Sequence, residues 1–402
     1  MGLIKLKNYF INFFILTIFL ILSLLIVNFL ILNFPSQKFY PRSLANSLPN
    51  FLVTFYPDTY KKNNLENYIA IVGDSYSQGN GDGYLNGTYD YSIGHHLHKN
   101  DDKNYLIFGR AGFGSISAVS NLVKLNKISN LPIFFKNLNK PESIIFFFYE
   151  GNDLEDNFFE YSSLSNINED INSFVLRRIK ENTSLTTKDK LTSFLPLISI
   201  MDDLYDHIHI LFNKLLTNDE NENKKSLIID RIKKLFGFTV LLDSEKKNEE
   251  IYINSIKNKD NYNNIKPLHS AAANLTNEEI SISLKIFFES VKYIKSWIGT
   301  DEILIVYIPS PISCYIWDEP IEYTIKNSET IKILSNKEND LKSEYIREEI
   351  ENFSKKNNIN FLDIAQHIKE ENINRILHGP LDWMHFNYDG YKIVSDYIIN
   401  NT

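Results

Sequence analysis

Tyr68-Ile69-Ala70-Ile71-Val72-Gly73-Asp74-Ser75-Tyr76-Ser77 is an unbroken apolar run that stops at a glycine and hands over to a polar Gly-Asp-Ser. A continuous apolar run of this length predicts a strand buried on both faces, as in a parallel sheet. A serine at the strand-to-helix junction would expose its hydroxyl at the sheet edge. The free N–H groups of the helix start would face a developing oxyanion there. The same residues also fit an ordinary Asp/Ser helix cap.

Further runs of the same kind lie downstream. Tyr105-Leu106-Ile107-Phe108 ends in Gly109, residues 144–149 end in Glu150-Gly151, residues 303–308 end in Pro309, and Ile359-Asn360-Phe361-Leu362 precedes Asp363. Helical patterns separate them. Thr276 and Glu279 form a capping box ahead of the apolar stripe Ile280, Leu284, Phe287, Val291 and Ile294, and Gly299 stops it, which predicts a helix over 276–298. Helices are also expected at 341–357 and from Tyr388 to the end. Strand alternating with helix predicts a three-layer α/β/α domain with a mostly parallel five-stranded sheet, built from 67–154 and 276–402. Ligands of such sheets bind beyond the carboxyl ends of the strands.

Two regions fall outside this pattern. Residues 10–34 are almost wholly apolar and uncharged. About 25 residues at 1.5 Å rise make roughly 37 Å of helix, enough to cross a hydrocarbon core of about 30 Å. The run is longer than a signal-peptide core and no small-residue cleavage site follows, so 1–35 is expected as an uncleaved single-pass anchor in the bilayer. Lys5 and Lys7 before it, against Lys38 and Arg42 after it, give a slight bias towards a cytoplasmic N-terminus and an extracytoplasmic remainder, periplasmic or cell-surface. Residues 36–66, punctuated by Pro41, Pro49 and Pro57, are expected as a linker. Residues 155–275, rich in Asn, Lys, Asp and Glu, are expected as an insertion, a helical cap with an apolar helical piece at 194–216 and a solvated charged run at 246–260.

Composition removes several functions. A formal net charge of -8 and a pI near 5.7 argue against a nucleic-acid partner. With Cys314 as its only cysteine, the chain forms no internal disulfide and no thiolate cluster.

The chemistry-bearing residues stand at the ends of the apolar runs. Ser75 follows the first. Gly109-Arg110-Ala111-Gly112-Phe113-Gly114 follows the second, where a backbone N–H could serve a ligand or the glycines could simply make a tight turn. Gly151-Asn152-Asp153 follows the third, offering an uncharged amide donor or a plain Asn/Asp turn. Near the C-terminus, Asp382-Trp383-Met384-His385 spaces a carboxylate three residues from an imidazole, the pairing a histidine needs to accept a serine proton; a surface ion pair or a metal-ligand pair also fits. His95, His96 and His98 lie close together in an expected amphipathic helix, where a structural role outweighs a metal site; no metal or organic cofactor is expected. His207 and His209 are expected on the surface, and His378 and residues 310–315 are candidates to border the cleft, as are Asp74, Gly114 and Asp153.

Taken in this order, the four blocks resemble the SGNH hydrolases, the GDSL-type lipases and esterases. Ser75 within Gly73-Asp74-Ser75 matches the first block, Gly112 the second with Gly114 as the alternative register, Asn152 the third, and Asp382 with His385 the fourth. The resemblance covers about 67–155 and 300–400, and the family's usual Asn ahead of the second-block glycines is replaced by Ile107-Phe108. It implies a flavodoxin-like sheet, a Ser75–His385–Asp382 triad and an oxyanion hole from the Ser75 and Gly112 N–H groups and the Asn152 amide. The activity it implies is ester hydrolysis on an acylated carbohydrate or lipid. The alternatives are O-acyl transfer, such as O-acetylation, to an extracytoplasmic glycan with a membrane acyl-donor partner, or a non-catalytic binding module on the same fold.

Overall fold

A computed structural model describes residues 2–34, 36–38, 48–61, 65–131, 138–201, 254–258, 261–317, 321–325 and 330–402. Most of the expected apolar helical piece at 194–216 and of the charged run at 246–260, together with His207 and His209, lies outside the described residues. The described residues belong to two compact units. One takes Thr59–Lys127, Leu138–Ser184 and Glu245–Thr402; the other takes Met1–Asp58, Ile128–Asn137 and Leu185–Ser244.

Among the described residues the larger unit has ten strands: β1 (Ile69–Val72), β2 (Tyr105–Ile107), β3 (Ser143–Tyr149), β4 (Asn254–Asn258), β5 (Asn261–Ile265), β6 (Leu268–His269), β7 (Ile303–Ile308), β8 (Ile321–Thr324), β9 (Ile331–Leu334) and β10 (Asn360–Asp363). Five of them, in the order β10-β7-β3-β1-β2, form an all-parallel central sheet. Each of the apolar runs picked out from the sequence supplies one of these strands. The register sets Ile71 beside Ile107 on one side and Ile145 on the other.

Burial on both faces explains why the runs are apolar without alternation. Along β3, Ile145, Phe147 and Tyr149 join a core with Ile71, Ile93, Leu97, Tyr391, Val394 and Ile398. The residues between them point the opposite way, and both Phe146 and Phe148 pack on the Phe287 ring, with centroids 5.2 and 4.7 Å apart. One face is therefore covered by helices Ile93–Asp101 and Tyr388–Asn401, and the other by Asn277–Ile298. This is the three-layer α/β/α arrangement.

Helix Asn277–Ile298 starts on the predicted box: Thr276 Oγ1 accepts from the Glu279 N–H, Glu279 caps the Thr276 N–H in return, and left-handed Gly299 ends it. The second expected helix begins earlier than its apolar pattern, running Asn336–Lys356 from a Ser335 cap. Helices Asp153–Leu164 and Ile171–Asn182 pack on Asn277–Ile298, so the first part of the expected insertion belongs to the outer helical layer. Its last part forms the antiparallel pair β4–β5 and strand β6, which joins β8 and β9 in a small separate sheet.

The expected linker is also partly ordered into structure. In the smaller unit, Leu48, Phe51, Leu52, Phe55 and Tyr56 are buried around a short helix, Asn50–Val53. Their i, i+3, i+4 spacing is that of an amphipathic turn, a signal that the prolines obscured. In the larger unit, Thr59 accepts the Tyr105 N–H at 2.9 Å and extends the edge of β2. The smaller unit also holds helix Gly2–Asn33, whose segment Phe14–Asn33 has a mean hydropathy of 3.0 and is long and apolar enough to cross a membrane. Phe19 is 68% exposed and Leu16 65%, so these side chains are not covered by protein.

Counted along the chain, the central sheet runs second, first, third, fourth, fifth. The chain leaves β1 towards β2 and returns on the other side at β3. The switch point between β1 and β3 opens a crevice at the carboxyl ends of these two strands, the usual ligand position in such sheets.

Candidate active site

The switch point puts Ser75 just past β1 and Asn152 just past β3. Asp74 caps the turn that carries Ser75, accepting the Tyr76 N–H at 2.9 Å, and the chain then runs into the short helix Ser75–Gln78. Ser75 Oγ lies 2.8 Å from His385 Nε2, and His385 Nδ1 lies 2.6 Å from Asp382 Oδ2. With Nδ1–H donating to the Asp382 carboxylate, Nε2 is left as an acceptor for the serine proton. Residues 310 positions apart in the chain thus form one hydrogen-bonded relay.

The histidine loop is held from several sides. His378 and Phe386 form an antiparallel bridge at its neck, and the Gly379 N–H donates to Asp382 O at 3.1 Å. Tyr76 donates its hydroxyl to Met384 O at 2.7 Å while its ring packs on His385, with centroids 5.1 Å apart. Asp382 is side-chain half-buried, and its Oδ1 takes the Met384 N–H at 3.0 Å. Burial pushes its carboxyl upward, but the His385 hydrogen bond and charge and the Met384 N–H outweigh this and hold it below the usual carboxylate range, so it is ionised at neutral pH.

No protein-family model matches this chain, and no curated protein matches it.

Asp74 is fully buried, and Ser75 Oγ lies 3.1 Å from its Oδ2, so this carboxylate and His385 compete for one hydroxyl proton. Burial raises the Asp74 pKa from 3.8 to about 6, against the opposing pull of His385 and the Tyr76 N–H. The folded state thus favours the protonated form. That contribution is fully present below the unfolded value near 4 and is lost as pH rises through about 6. Asp74→Asn, whose Oδ1 still caps Tyr76, is expected to gain stability over the wild type as pH rises, by up to about 3 kcal/mol at pH 8, with no gain near pH 4. Urea midpoints for both proteins at the two pH values test this; a difference independent of pH would contradict it.

The expected oxyanion donors are placed differently from one another. Asn152 is the N-cap residue of helix Asp153–Leu164, yet its side chain makes no cap bond, and its Oδ1 is buried without a partner. Asp153, by contrast, closes the turn: its Oδ2 accepts the Tyr149 N–H at 2.8 Å and it is buried, so it braces the strand end rather than lining a cleft. Gly112 is exposed in a turn closed by the Phe113 N–H to Arg110 O at 3.1 Å, with φ +77 that favours glycine. Gly114 is buried; a Cβ there would come within 2.9 Å of Asn157 Oδ1, so its small size serves packing against the neighbouring helix. Of the two registers, Gly112 is the one left open. Neither Gly112 nor Asn152 is hydrogen-bonded to the triad.

His378 does not border an open cleft. It is fully buried, with Nδ1 2.8 Å from the Tyr315 hydroxyl, and burial lowers its pKa to about 3, so it stays neutral. Residues 310–315 are buried as well, because Glu150 draws them inward. This buried carboxylate, the first residue after β3, accepts from the Tyr307 hydroxyl, from Ser313 Oγ at 2.9 Å and from Ser343 Oγ at 2.7 Å. In the His95-His96-His98 group, His95 joins a capping box with Ser92, and His96 packs edge-on to Tyr388. Among the described residues no group of three or more His, Cys, Asp or Glu side chains is placed to hold a metal ion.

Sequence reasoning passed over Asp82, Arg110, Glu150 and Tyr149. Arg110 is buried behind β2, donates to Gly109 O at 2.6 Å, and has its pKa lowered to about 10 by burial. Charged residues in a charged, Asn-rich sequence give no local sign of burial; only Gly-Asp-Gly at 81–83, right after the Ser75 turn, marks Asp82 out.

Proposed function

We propose that this chain is a serine ester hydrolase of the SGNH type, acting on an acylated carbohydrate or lipid through an acyl-enzyme. The observation that carries this proposal is the continuous relay Ser75 Oγ–His385 Nε2, 2.8 Å, and His385 Nδ1–Asp382 Oδ2, 2.6 Å, at the sheet's switch point. His385 Nε2 takes the Ser75 proton as Oγ attacks the ester carbonyl. The resulting imidazolium is stabilised by ionised Asp382. The oxyanion is held by the Asn152 amide and the N–H groups of Gly112 and Ser75. Collapse expels the alcohol, which takes the proton from His385. Water, deprotonated by His385 in turn, attacks the acyl-enzyme and releases the acid.

The membrane-spanning helix would tether this activity to a bilayer. The slight charge bias at its ends favours a site outside the cytoplasm, which protease added to intact cells would reach.

The full chain in detergent, treated with a fluorophosphonate, is expected to carry the label on the Ser75 peptide and to release p-nitrophenol from p-nitrophenyl acetate. Release that needs an oligosaccharide and yields acyl-sugar would assign the same triad to transfer. An unlabelled, inactive protein would mean that the relay serves no acyl chemistry.

A further inference from the structure

Asp82 lies seven residues beyond Ser75, at the start of the short helix Asp82–Leu85, and is 5% exposed. Its two carboxylate oxygens point across the molecule at the histidine loop. Oδ1 accepts the Asp382 N–H at 2.8 Å and Oδ2 accepts the Leu381 N–H at 3.1 Å. A carboxylate bound to two successive backbone N–H groups fixes both the position and the rotation of the peptide between them. Here that peptide leads into Asp382, whose own side chain orients His385.

The neighbouring residues close the same latch. Gly81 has φ +134, and a Cβ there would strike Phe386 O and come within 3.3 Å of His385 Cβ, so the backbone passes directly beneath the loop. Tyr391 donates its hydroxyl to Asn80 O at 2.5 Å from the helix that follows the loop. The segment 80–82 therefore ties the turn bearing the nucleophile to the loop bearing its base and its orienting acid.

We infer that Asp82 is a positioning residue of the triad: its carboxylate holds the Leu381–Asp382 backbone in the one orientation in which Asp382 and His385 align on Ser75. This rests on the hydrolase proposal for its kinetic consequence, but not for its geometry. Asp82 touches no reacting atom. Its effect passes through Asp382, whose Oδ2 sits 2.6 Å from His385 Nδ1. A shift of about 1 Å in a catalytic group is enough to cost about 100-fold in rate.

The test uses the full chain in detergent and two readouts. The first is the downfield proton resonance of the His385 Nδ1–H in its short bond to Asp382, which reports alignment without any substrate. The second is kcat and KM for p-nitrophenyl acetate. Asp82→Ala is expected to lose or broaden the resonance and to lower kcat about 100-fold with KM little changed. Asp82→Asn, which keeps one acceptor oxygen and the side-chain volume, is expected to recover part of both and covers the case in which the alanine variant misfolds. A folded Asp82→Ala or Asp82→Asn protein with the wild-type resonance and wild-type kcat overturns the inference. If the wild type itself turns over no ester, the hydrolase proposal fails; loss of the resonance in the variants would still uphold the positioning role.

Discussion

Ser75→Ala is expected to remove ester turnover, lowering kcat by about 10⁶-fold to the level of the uncatalysed and binding-assisted reaction. In the proposed mechanism the oxygen lost is the attacking atom, so no neighbouring group would compensate. Ser75 Oγ is bonded only to Asp74 and His385 side chains, and an alanine is readily accommodated at the first position of the helix, so the fold should survive with a change of about 1 kcal/mol. His385→Ala should cost nearly as much, since the serine hydroxyl would then have no base at 2.8 Å. If Ser75 and His385 act as one unit, as proposed, the double variant should be no slower than either single one. Initial rates for p-nitrophenyl acetate with all three proteins provide the check. A Ser75→Ala protein that keeps its rate, or a double variant slower by the product of the two effects, would show that the relay does not act as a triad.

Asn152→Ala is expected to lower kcat by about 10²- to 10³-fold, or about 2.7–4 kcal/mol of barrier, with KM and thermal stability nearly unchanged. Asn152 stands at the mouth of β3 with its Oδ1 buried and unsatisfied and with no cap bond to its own helix, so the native fold gains almost nothing from it. An oxyanion would take its hydrogen bond from the Nδ2–H of this amide, the donor half of the side chain. Asn152→Asp, similar in shape but an acceptor with a negative charge, should be slower still. Parallel melting curves and steady-state kinetics separate the outcomes. Loss of stability with a preserved rate per folded molecule would make Asn152 a turn residue.

The fold was legible for a physical reason. In a parallel sheet covered on both faces, each strand must be apolar throughout, so residues 68–72, 105–108, 144–149 and 303–308 stood out without any periodicity to decipher. Helix Asn277–Ile298 was readable to within a residue because both its signals, the Thr276–Glu279 box and Gly299, are local. The site was legible only as an order of motifs. Nothing in Gly73-Asp74-Ser75 alone separates a nucleophile from a helix cap, and in the structure Asp74 is in fact such a cap.

The sequence by itself determined the layered α/β class, the apolar N-terminal helix and the pairing of Asp382 with His385, because strand burial, helix caps and a three-residue Asp–His spacing are all written in neighbouring residues; Ser75 was joined to that pair only through the family resemblance of the motif order. Only the tertiary structure decided the strand order, the burial of Glu150, Arg110 and His378, the openness of Gly112 against the packing of Gly114, and the grip of Asp82 on the Leu381–Asp382 backbone. Those facts depend on hydrogen-bond partners and packing neighbours far away along the chain. A carboxylate's local sequence carries no record of whether water or a distant backbone N–H will satisfy it.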